Sequence, residues 1–433
     1  MIGIDIGSTF IKAVEIVRAK KALSILAAGV LETPENCVAN GVVLDPVPVG
    51  NAVRSLLTTN GFRAKRATIS VGGQSALAVR VVDLPKMTDV ELRRSMQLDI
   101  DRHLPFPSEG TVHDFVKISP PDASPDDLGV EVLLAAAQEP LIGGHVKVLD
   151  QARLFPVAID IEALALCRSL VNLDGTSGPR TTAIINIGAY FTDICIVRDG
   201  LLRFVRSAPL AGEVLTNAIG QGLVLDSKQA ESLKRQFGTI FLEEGMASEE
   251  LQRPRPGPPP GFHTPLDIVP EGQEGDHLAF GPPPLDLADE PTTPGIAEPP
   301  PLGPAETTSS LPGKAAPTGP EPTRKADDAD YARHQISQAI LGPLADLARE
   351  IHTTFDYFST RKGMEVERVV LTGGSSKILN LPAFMTRELG VETVMGDPFL
   401  HLAIGNPNIS PDFLSSISPL MAVCTGLAIR DML

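Results

Sequence analysis

The sequence predicts an α/β fold of two lobes with one disordered excursion. Three observations lead there. Strand-like apolar runs alternate with helical stripes along most of the chain, the pattern of layered α/β folds. A strand, a glycine turn and a second strand beginning at Ile4 recur about 180 residues later from Ile185, an internal duplication. Roughly half of the 39 prolines fall between residues 253 and 324, a composition that cannot bury a core.

Composition narrows the function classes. The chain has 433 residues, 53 acidic against 37 basic, and a formal net charge of -16. At roughly 150 residues per domain, two or three domains are expected. The acidic balance, without a basic run, argues against nucleic acid as a partner. Cys37, Cys167, Cys195 and Cys424 are far apart and form no C-x-x-C pair. Neither a zinc site nor a disulfide framework is expected, and the pattern suits a reducing compartment. Cys195 reads as a small buried hydrophobe. Met1 leads straight into a strand-like run, so no signal peptide is expected. The apolar stretches fall far short of the ~18 residues of a membrane span. The expectation is a soluble protein that reaches a membrane only through a partner.

The elements follow in order. Apolar runs at 2–6 and 13–17, joined by a turn at 7–9, predict a hairpin. Residues 49–60 read as a helix stopped by Gly61. Runs at 67–71 and 76–82 read as strands around Gly72 and Gly73. Thr88 and Glu91 fit a capping box, and their helix runs to about His103, ended by Pro105 and Pro107. A strand at 130–137 precedes a helix to about Gln151. Asp226 can cap a helix that stops at Gly238. Ile336, Ile340, Leu344, Leu347, Ile351, Phe355 and Phe358 recur at helical spacing as a core stripe. Gly342 and Pro343 should kink or interrupt that helix. The insertion at 253–324 reads as a partly polyproline-II spacer carrying about six of the sixteen net negative charges. Apolar islands at 265–269 and 285–287 are candidate docking motifs within it.

The duplicated hairpin carries the chemistry. In register, Asp5 meets Asn186, Gly7 meets Gly188, Phe10 meets Phe191 and Lys12 meets Asp193. Each copy ends its first strand on a carboxylate or amide and turns through glycine. Glycine lets backbone amides approach phosphate oxygens, and Ser8 and Thr9 add hydroxyl donors. Asp5 would hold Mg²⁺ through water, because Mg²⁺ keeps much of its hydration shell. Two such hairpins face to face would clamp one phosphate chain. A third piece, Glu367 to Ser376, is a strand running into Gly373-Gly374-Ser375, where a flat ligand can lie on bare backbone.

These motifs, in this order, resemble the actin, DnaK-type chaperone and sugar kinase superfamily. Within it the chain resembles the PilM family of type IV pilus assembly, relatives of the division protein FtsA. The stretches that carry the resemblance are GIDIGSTFIKAVEI, LDIDRHLPFP, AIDIEALAL, the second hairpin with VRDGLL, AESLKRQFG and VVLTGGSSKILNLPAF. The resemblance implies an actin-like, ribonuclease H-like two-lobed ATPase fold. Lobe I would span 1–178, with an inserted 1C-type subdomain at about 84–154 and a C-terminal helix at about 415–433 packing back on it. Lobe II would span 179–414. ATP and Mg²⁺ are the implied cofactors. Asp5, Gly7, Ser8, Thr9 and Lys12 would form the first phosphate loop, with Asp5 the metal ligand. Asn186, Gly188, Ala189 and Thr192 would form the second, and Gly373, Gly374 and Ser375 the adenosine motif. Glu231 and Lys234 would contact ribose and adenine, a solvated salt bridge being the plainer reading. Glu162 would orient the attacking water, or merely favour a helix start.

One departure bears on catalysis. The second hairpin of this superfamily usually begins with Asp, and here it is Asn186. Mg²⁺ binding should weaken, and hydrolysis should be slow or absent. Asp193, farther along the strand, is not expected to substitute. The implied function is a cytoplasmic ATP-binding scaffold of type IV pilus assembly, peripheral to the inner membrane. It would bind the N-terminal cytoplasmic tail of a PilN-like inner-membrane protein, in a groove between the first-hairpin subdomain and the inserted one, and its nucleotide state would bias the groove's geometry through domain closure. Pilus motor ATPases are a further partner class. The alternatives are an FtsA-like membrane-recruited cytoskeletal protein, which should carry a basic amphipathic C-terminal helix, and a small-molecule kinase, which should show a general base.

Overall fold

Each half of the chain builds the same five-stranded motif. The computed structural model describes residues 1–19, 22–73, 76–118, 129–172, 180–242 and 323–432. Strands β1 (Ile2–Ile6), β2 (Phe10–Ala19) and β3 (Ala22–Glu32) run antiparallel. A short pair, β4 (Val38–Ala39) with β5 (Val42–Val43), leads into helix α1 (Pro46–Thr59). This helix starts three residues before the sequence reading. Asp45 accepts the Val47 amide, and Pro46 needs no amide partner in a first turn. β6 (Arg66–Val71) then pairs in parallel with β1.

The chain next builds a separate three-stranded sheet from β7 (Leu77–Pro85), β8 (Thr111–Lys117) and β9 (Gly129–Gln138), in the order β7-β9-β8. Helix α2 (Asp89–Asp99) covers one face, with Leu92 and Met96 against Val132 and Leu134. Its capping box is formed: Glu91 N–H donates to Thr88 Oγ1, and Thr88 N–H donates to the Glu91 carboxylate. Helix α3 (Glu139–Ala152) packs instead with the first sheet, where Val148 and Leu149 join Ile2, Ile4 and Val53. The inserted sheet therefore occupies 77–138 and not 84–154. β7 pairs with β9 along its whole length, and the apolar face of α3 finds its partner in the first core.

β10 (Phe155–Ile161) extends the first sheet beside β6, and α4 (Glu162–Cys167) follows. The second sheet repeats the wiring. β11 (Thr182–Ile187), β12 (Thr192–Arg198) and β13 (Leu201–Ala208) are antiparallel. Helices α5 (Gly212–Leu223), α6 (Ser227–Phe237) and α7 (Thr323–Lys362) precede parallel β14 (Arg368–Thr372). Helix α8 (Leu381–Leu389) and parallel β15 (Thr393–Met395) complete it. The orders β10-β6-β1-β2-β3 and β13-β12-β11-β14-β15 are the same topology read from opposite ends. The repeat seen in two short stretches of sequence is thus a repeat of whole lobes.

Helix α7 runs unbroken through Gly342 and Pro343, so the interruption that the sequence allowed does not occur. An internal proline costs about 3 kcal/mol. Ile336, Ile340, Leu344, Leu347, Ile351, Phe355 and Phe358, on both sides of it, are all buried. At roughly 1.5–3 kcal/mol each, their burial outweighs that loss. The insertion expected at 253–324 lies outside the described residues up to 322, and residues 323 and 324 already belong to α7.

The single C-terminal helix expected at 415–433 is two short ones, α9 (Pro411–Ile417) and α10 (Ala422–Ala428), separated by a 3₁₀ turn at Pro419. The return to the first lobe begins earlier than residue 415. β16 (Ala403–Ile404) pairs with β3, and Phe399 and Leu414 join Val14, Ile16 and Ile25. Helix α10 lies directly on backbone. A Cβ on Gly3 would sit 1.9 Å from the Cys424 carbonyl oxygen, and one on Gly426 1.8 Å from that of Ala165. Among the described residues, no helix is long and apolar enough to cross a membrane.

Candidate functional site

The two hairpins turn alike. Gly7 N–H donates to the Phe10 carbonyl at 3.0 Å, and Gly188 N–H donates to the Phe191 carbonyl at 3.0 Å. The register then sets one polar pair across each hairpin. Asp5 faces Lys12, and Asn186 faces Asp193. Lys12 Nζ is 2.6 Å from Asp5 Oδ2. Asn186 Nδ2 donates to Asp193 Oδ2 at 3.3 Å, and Ser207 of β13 donates to the other oxygen. Asp193 was not expected to substitute for the missing carboxylate. The pairing places it in the site, because residues opposite each other in antiparallel strands point to the same face.

Glu162, at the first turn of α4, meets both hairpins. Burial raises its carboxyl well above the ordinary 4.5, and the charges of Asp193 and Asp5 push the same way against the pull of Lys12. Burial likewise raises the Asp193 carboxyl; hydrogen bonds from Ser207 and Asn186 oppose the rise, and the Asp5 charge adds to it. Burial works against the Lys12 ammonium, yet the charge and hydrogen bond of Asp5 prevail and its pKa is raised. Three carboxyl groups and one ammonium therefore share this cleft. Gly72 closes it from the inserted-sheet side, since a Cβ there would come 2.1 Å from Glu162 Oε1.

Not every expected residue faces the cleft as a donor. Thr192 is fully buried and its hydroxyl donates to the Leu210 carbonyl at 2.6 Å. Gly373 has φ +94°, and a Cβ there would meet the Ile187 carbonyl oxygen at 2.5 Å. Glycine is required at 373 for lobe II's own packing. Gly374 is exposed, with only Leu420 Cδ2 at 3.6 Å, so it is the glycine open to a ligand. Ser375 is buried and donates to the Gly188 carbonyl at 3.3 Å, tying the third motif to the second hairpin. Ala189 accepts the Glu213 amide and Gly188 the Gly212 amide, so that hairpin is seated on the first turn of α5.

Glu231 and Lys234 are not a solvated pair. Lys234 is 9% exposed and gives its donors to Glu231 Oε2 at 2.6 Å, the Thr216 hydroxyl at 2.7 Å and the Gly212 carbonyl at 2.8 Å. Burial lowers its pKa despite Glu231. Burial would raise the Glu231 carboxyl, but Lys234, Thr216 and Arg235 together lower it. The pair fixes α6 against α5 beside the glycine motif.

The donor set of the cleft bears on Mg²⁺. Among the described residues, no three His, Cys, Asp or Glu side chains converge closely enough to hold a metal directly. Asp5 and Asp193 instead suit a hydrated ion held through water and ligand phosphates, the usual mode for Mg²⁺. Sequence reading undervalued Asp193, Gly212 and Gly72. The signal for Asp193 was present: counting equally back from each turn pairs it with Asn186 as Lys12 pairs with Asp5.

A family model described as type IV pilus assembly protein PilM matches residues 3–240, and one described as cell division protein FtsA matches residues 183–418. Cell division protein FtsA of Enterococcus hirae is 24% identical over 274 residues, 58% of this chain and 60% of that protein. That of Bacillus subtilis (strain 168) is 27% identical over 122 residues, 28% of this chain and 27% of that protein. The chain thus spans 60% of the length of the first of these relatives and less of the second. A solved PilM-PilN type IV pilus biogenesis complex superposes with a TM-score of 0.71 at 22% identity, over 99% of this chain and 98% of that one, a likeness of fold.

Proposed function

Because the chain belongs to the family of the type IV pilus assembly protein PilM, we propose that it is an actin-like ATP-binding scaffold that holds the N-terminal tail of a PilN-like membrane protein. The observation that supports the nucleotide part best is the mirrored pair of hairpins, each with its glycine turn and its cross-strand polar pair, closing on Glu162. ATP phosphates lie between the turns at Gly7 to Thr9 and at Gly188 to Ala189, and the adenosine rests on Gly374. Asp5 and Asp193 would hold a hydrated Mg²⁺, which would supply neutralising charge to the phosphates. Hydrolysis is weak or absent, because the second hairpin begins on Asn186, an amide that brings no negative charge of its own.

The tail is held in a groove of about 560 Å³ where the inserted sheet meets α3. Glu109, Gly110, Gln138, Glu139, Pro140, Gly143 and Lys147 line it. An extended peptide can add backbone hydrogen bonds there, and Glu109, Glu139 and Lys147 offer charged contacts. This recruits the protein to the membrane through its partner. The FtsA match to residues 183–418 favours one other reading, a polymerising cytoskeletal protein, which filaments sedimenting with ATP and lipid would support.

Calorimetry with a synthetic PilN tail peptide tests the groove. A Cβ on Gly143 meets nothing within 4 Å, so Gly143→Trp fills the groove without disturbing α3, and Gly143→Ala is the control. Binding by the wild type and the Ala variant, lost in the Trp variant, is expected. A wild type that binds no peptide with or without ATP would sink the partner assignment. For the cleft, Gly374→Asp should lower ATP affinity at least roughly tenfold, about 1.4 kcal/mol. Unchanged affinity would show that the adenosine lies elsewhere.

A further inference from the structure

The first sheet ends, on the side away from the cleft, in a basic face. β1 runs from this end to the Gly7 turn, and the register fixes which residues meet here. Arg66 opens β6 opposite Phe155 of β10, and its neighbour Ala67 pairs with Ile2 of β1. Arg18 of β2 lies beyond Met1, whose carbonyl accepts the Ile16 amide at 3.1 Å. The loop from α1 to β6 adds Arg63 and Lys65, and the Lys65 carbonyl accepts the Phe155 amide at 2.8 Å. Arg153 stands two residues before Phe155, at the left-handed end of α3. Arg18, Arg63, Lys65, Arg66 and Arg153 are all exposed, and none forms an ion pair among the described residues.

The acids close to this face do not neutralise it. Glu15 is buried, and its carboxylate accepts the Arg63 amide at 2.7 Å and the Ala64 amide at 3.3 Å, which holds the basic loop in place. Asp397 accepts the Phe399 amide at 3.0 Å and the Ser418 hydroxyl at 2.6 Å. Asp150, in the last turn of α3, is exposed. A chain of net charge -16 thus carries a local excess of positive charge. Apolar side chains stand among the cations. Phe155 is 69% exposed, between Arg153 and Arg66. Leu400 is 70% exposed, in the turn before β16, which extends the same sheet beyond β3. Unpaired cations around exposed apolar side chains are the composition of a surface that lies on a membrane interface.

We propose that this face binds the anionic headgroups of a lipid bilayer directly. From β10 to β3 the strand ends span about 20 Å, a footprint for several headgroups and not for one small anion. The cations meet the phosphates, and Phe155 and Leu400 enter the boundary with the acyl chains. The polyanion is lipid because a protein held on the tail of a membrane protein works at a membrane surface; this rests on the tail-binding reading above. The spacing agrees with it. Gly143 of the groove and Arg153 of the basic face lie along one helix, about 15 Å apart. About five extended residues cover that distance, so a tail leaving the groove reaches a bilayer that lies on the face.

The test floats the full chain, without peptide or nucleotide, on vesicles of equal parts phosphatidylglycerol and phosphatidylcholine, and on vesicles of phosphatidylcholine alone. The wild type should bind the first and not the second, and should come off as salt is raised. Each Lys or Arg near an anionic surface strengthens binding roughly fivefold. A variant carrying Arg63→Gln, Lys65→Gln and Arg66→Gln should therefore bind at least roughly tenfold more weakly. Its Tm should match the wild type, since all three side chains are exposed. Phe155→Ala should weaken binding while leaving the salt dependence as it is. Equal binding to both vesicles, or full binding by the triple variant, overturns the proposal. So does binding of soluble polyglutamate by a wild type that ignores the vesicles, which would assign the face to an acidic protein. Calorimetry with the tail peptide keeps the two readings apart. Vesicle binding without peptide binding supports this face and removes the tail; peptide binding without vesicle binding overturns this face alone.

Discussion

Asp193 holds in the second hairpin the place that Lys12 holds in the first, and this exchange sets the charge of the cleft. Asn186 lacks a carboxylate, but its cross-strand neighbour supplies one. Asp193→Asn should therefore weaken Mg²⁺-dependent ATP binding by roughly tenfold, about 1.4 kcal/mol, measured by calorimetry with and without Mg²⁺. Equal affinities would remove Asp193 from the site. Glu162 gives a prediction of opposite kind. Its folded-state pKa is raised above the ordinary 4.5, so folding favours the protonated acid. Below the ordinary value both states are protonated and no charge is buried. As pH rises through the folded-state value, the buried charge costs stability. Glu162→Gln should leave Tm unchanged near about pH 4 and raise it at about pH 8, followed by calorimetric melting. A variant less stable than the wild type at the higher pH would show that Glu162 is stabilised as an anion.

Local rules account for some helix ends, and two helices end on a non-glycine residue in the left-handed region, α3 on Arg153 and α5 on Val224. Thr88 and Asp226 cap their helices through complete capping boxes, as the sequence patterns predict. Helix α5 instead ends on Val224 at φ +55°, 92% exposed. A β-branched residue in the left-handed region is strained by roughly 1–2 kcal/mol. Asn tolerates that region, and no packing is lost by replacing an exposed valine. Val224→Asn should stabilise the protein by roughly 0.5–1 kcal/mol, read as an increase in Tm. A fall in Tm would mean that Val224 packs on a surface not seen here. Pro343 shows the reverse case, a strong local signal overruled because both flanks of α7 bury apolar side chains.

At the scale of the molecule, the chain leaves and rejoins the second lobe at one place. Ile240 is fully buried, the Phe241 amide donates to Ser337 at 3.1 Å, and the Phe241 ring stacks on His334 with centroids 4.2 Å apart. The segment between them closes a loop whose ends already meet in the fold. Shortening such a loop changes stability little, because closure entropy varies only with the logarithm of length. A chain with residues 245–327 replaced by a short Gly-Ser linker should keep its Tm within about 4 °C, a change of about 1 kcal/mol or less. Its ATP affinity should stay within about twofold, less than about 0.5 kcal/mol. Loss of folding would assign that segment a part in the core. Across the lobes, Arg235 of α6 reaches Glu32 at 3.0 Å and lies 4.7 Å over the Phe10 ring, but such exposed contacts are weak individually.

The sequence by itself determined the duplicated hairpins, the glycine motif after a strand, the capped helices and the core stripe of α7. Each is a local pattern whose cause lies within a few residues: a turn that needs glycine, a cap, a period of 3.6. It did not determine where the inserted sheet begins, that the C-terminal return starts at Phe399, that Lys234 is buried, or that Thr192 turns its hydroxyl away from the cleft. Nor did it show that Gly373 serves backbone packing while Gly374 faces outward, or that Glu131 of the inserted sheet pairs with Arg203 of the second lobe. These follow from contacts between segments far apart in the chain, such as Arg203 with Glu131 or Gly3 with Cys424. Burial, charge pairing and close backbone approach are properties of such contacts, and only the assembled tertiary structure decides them.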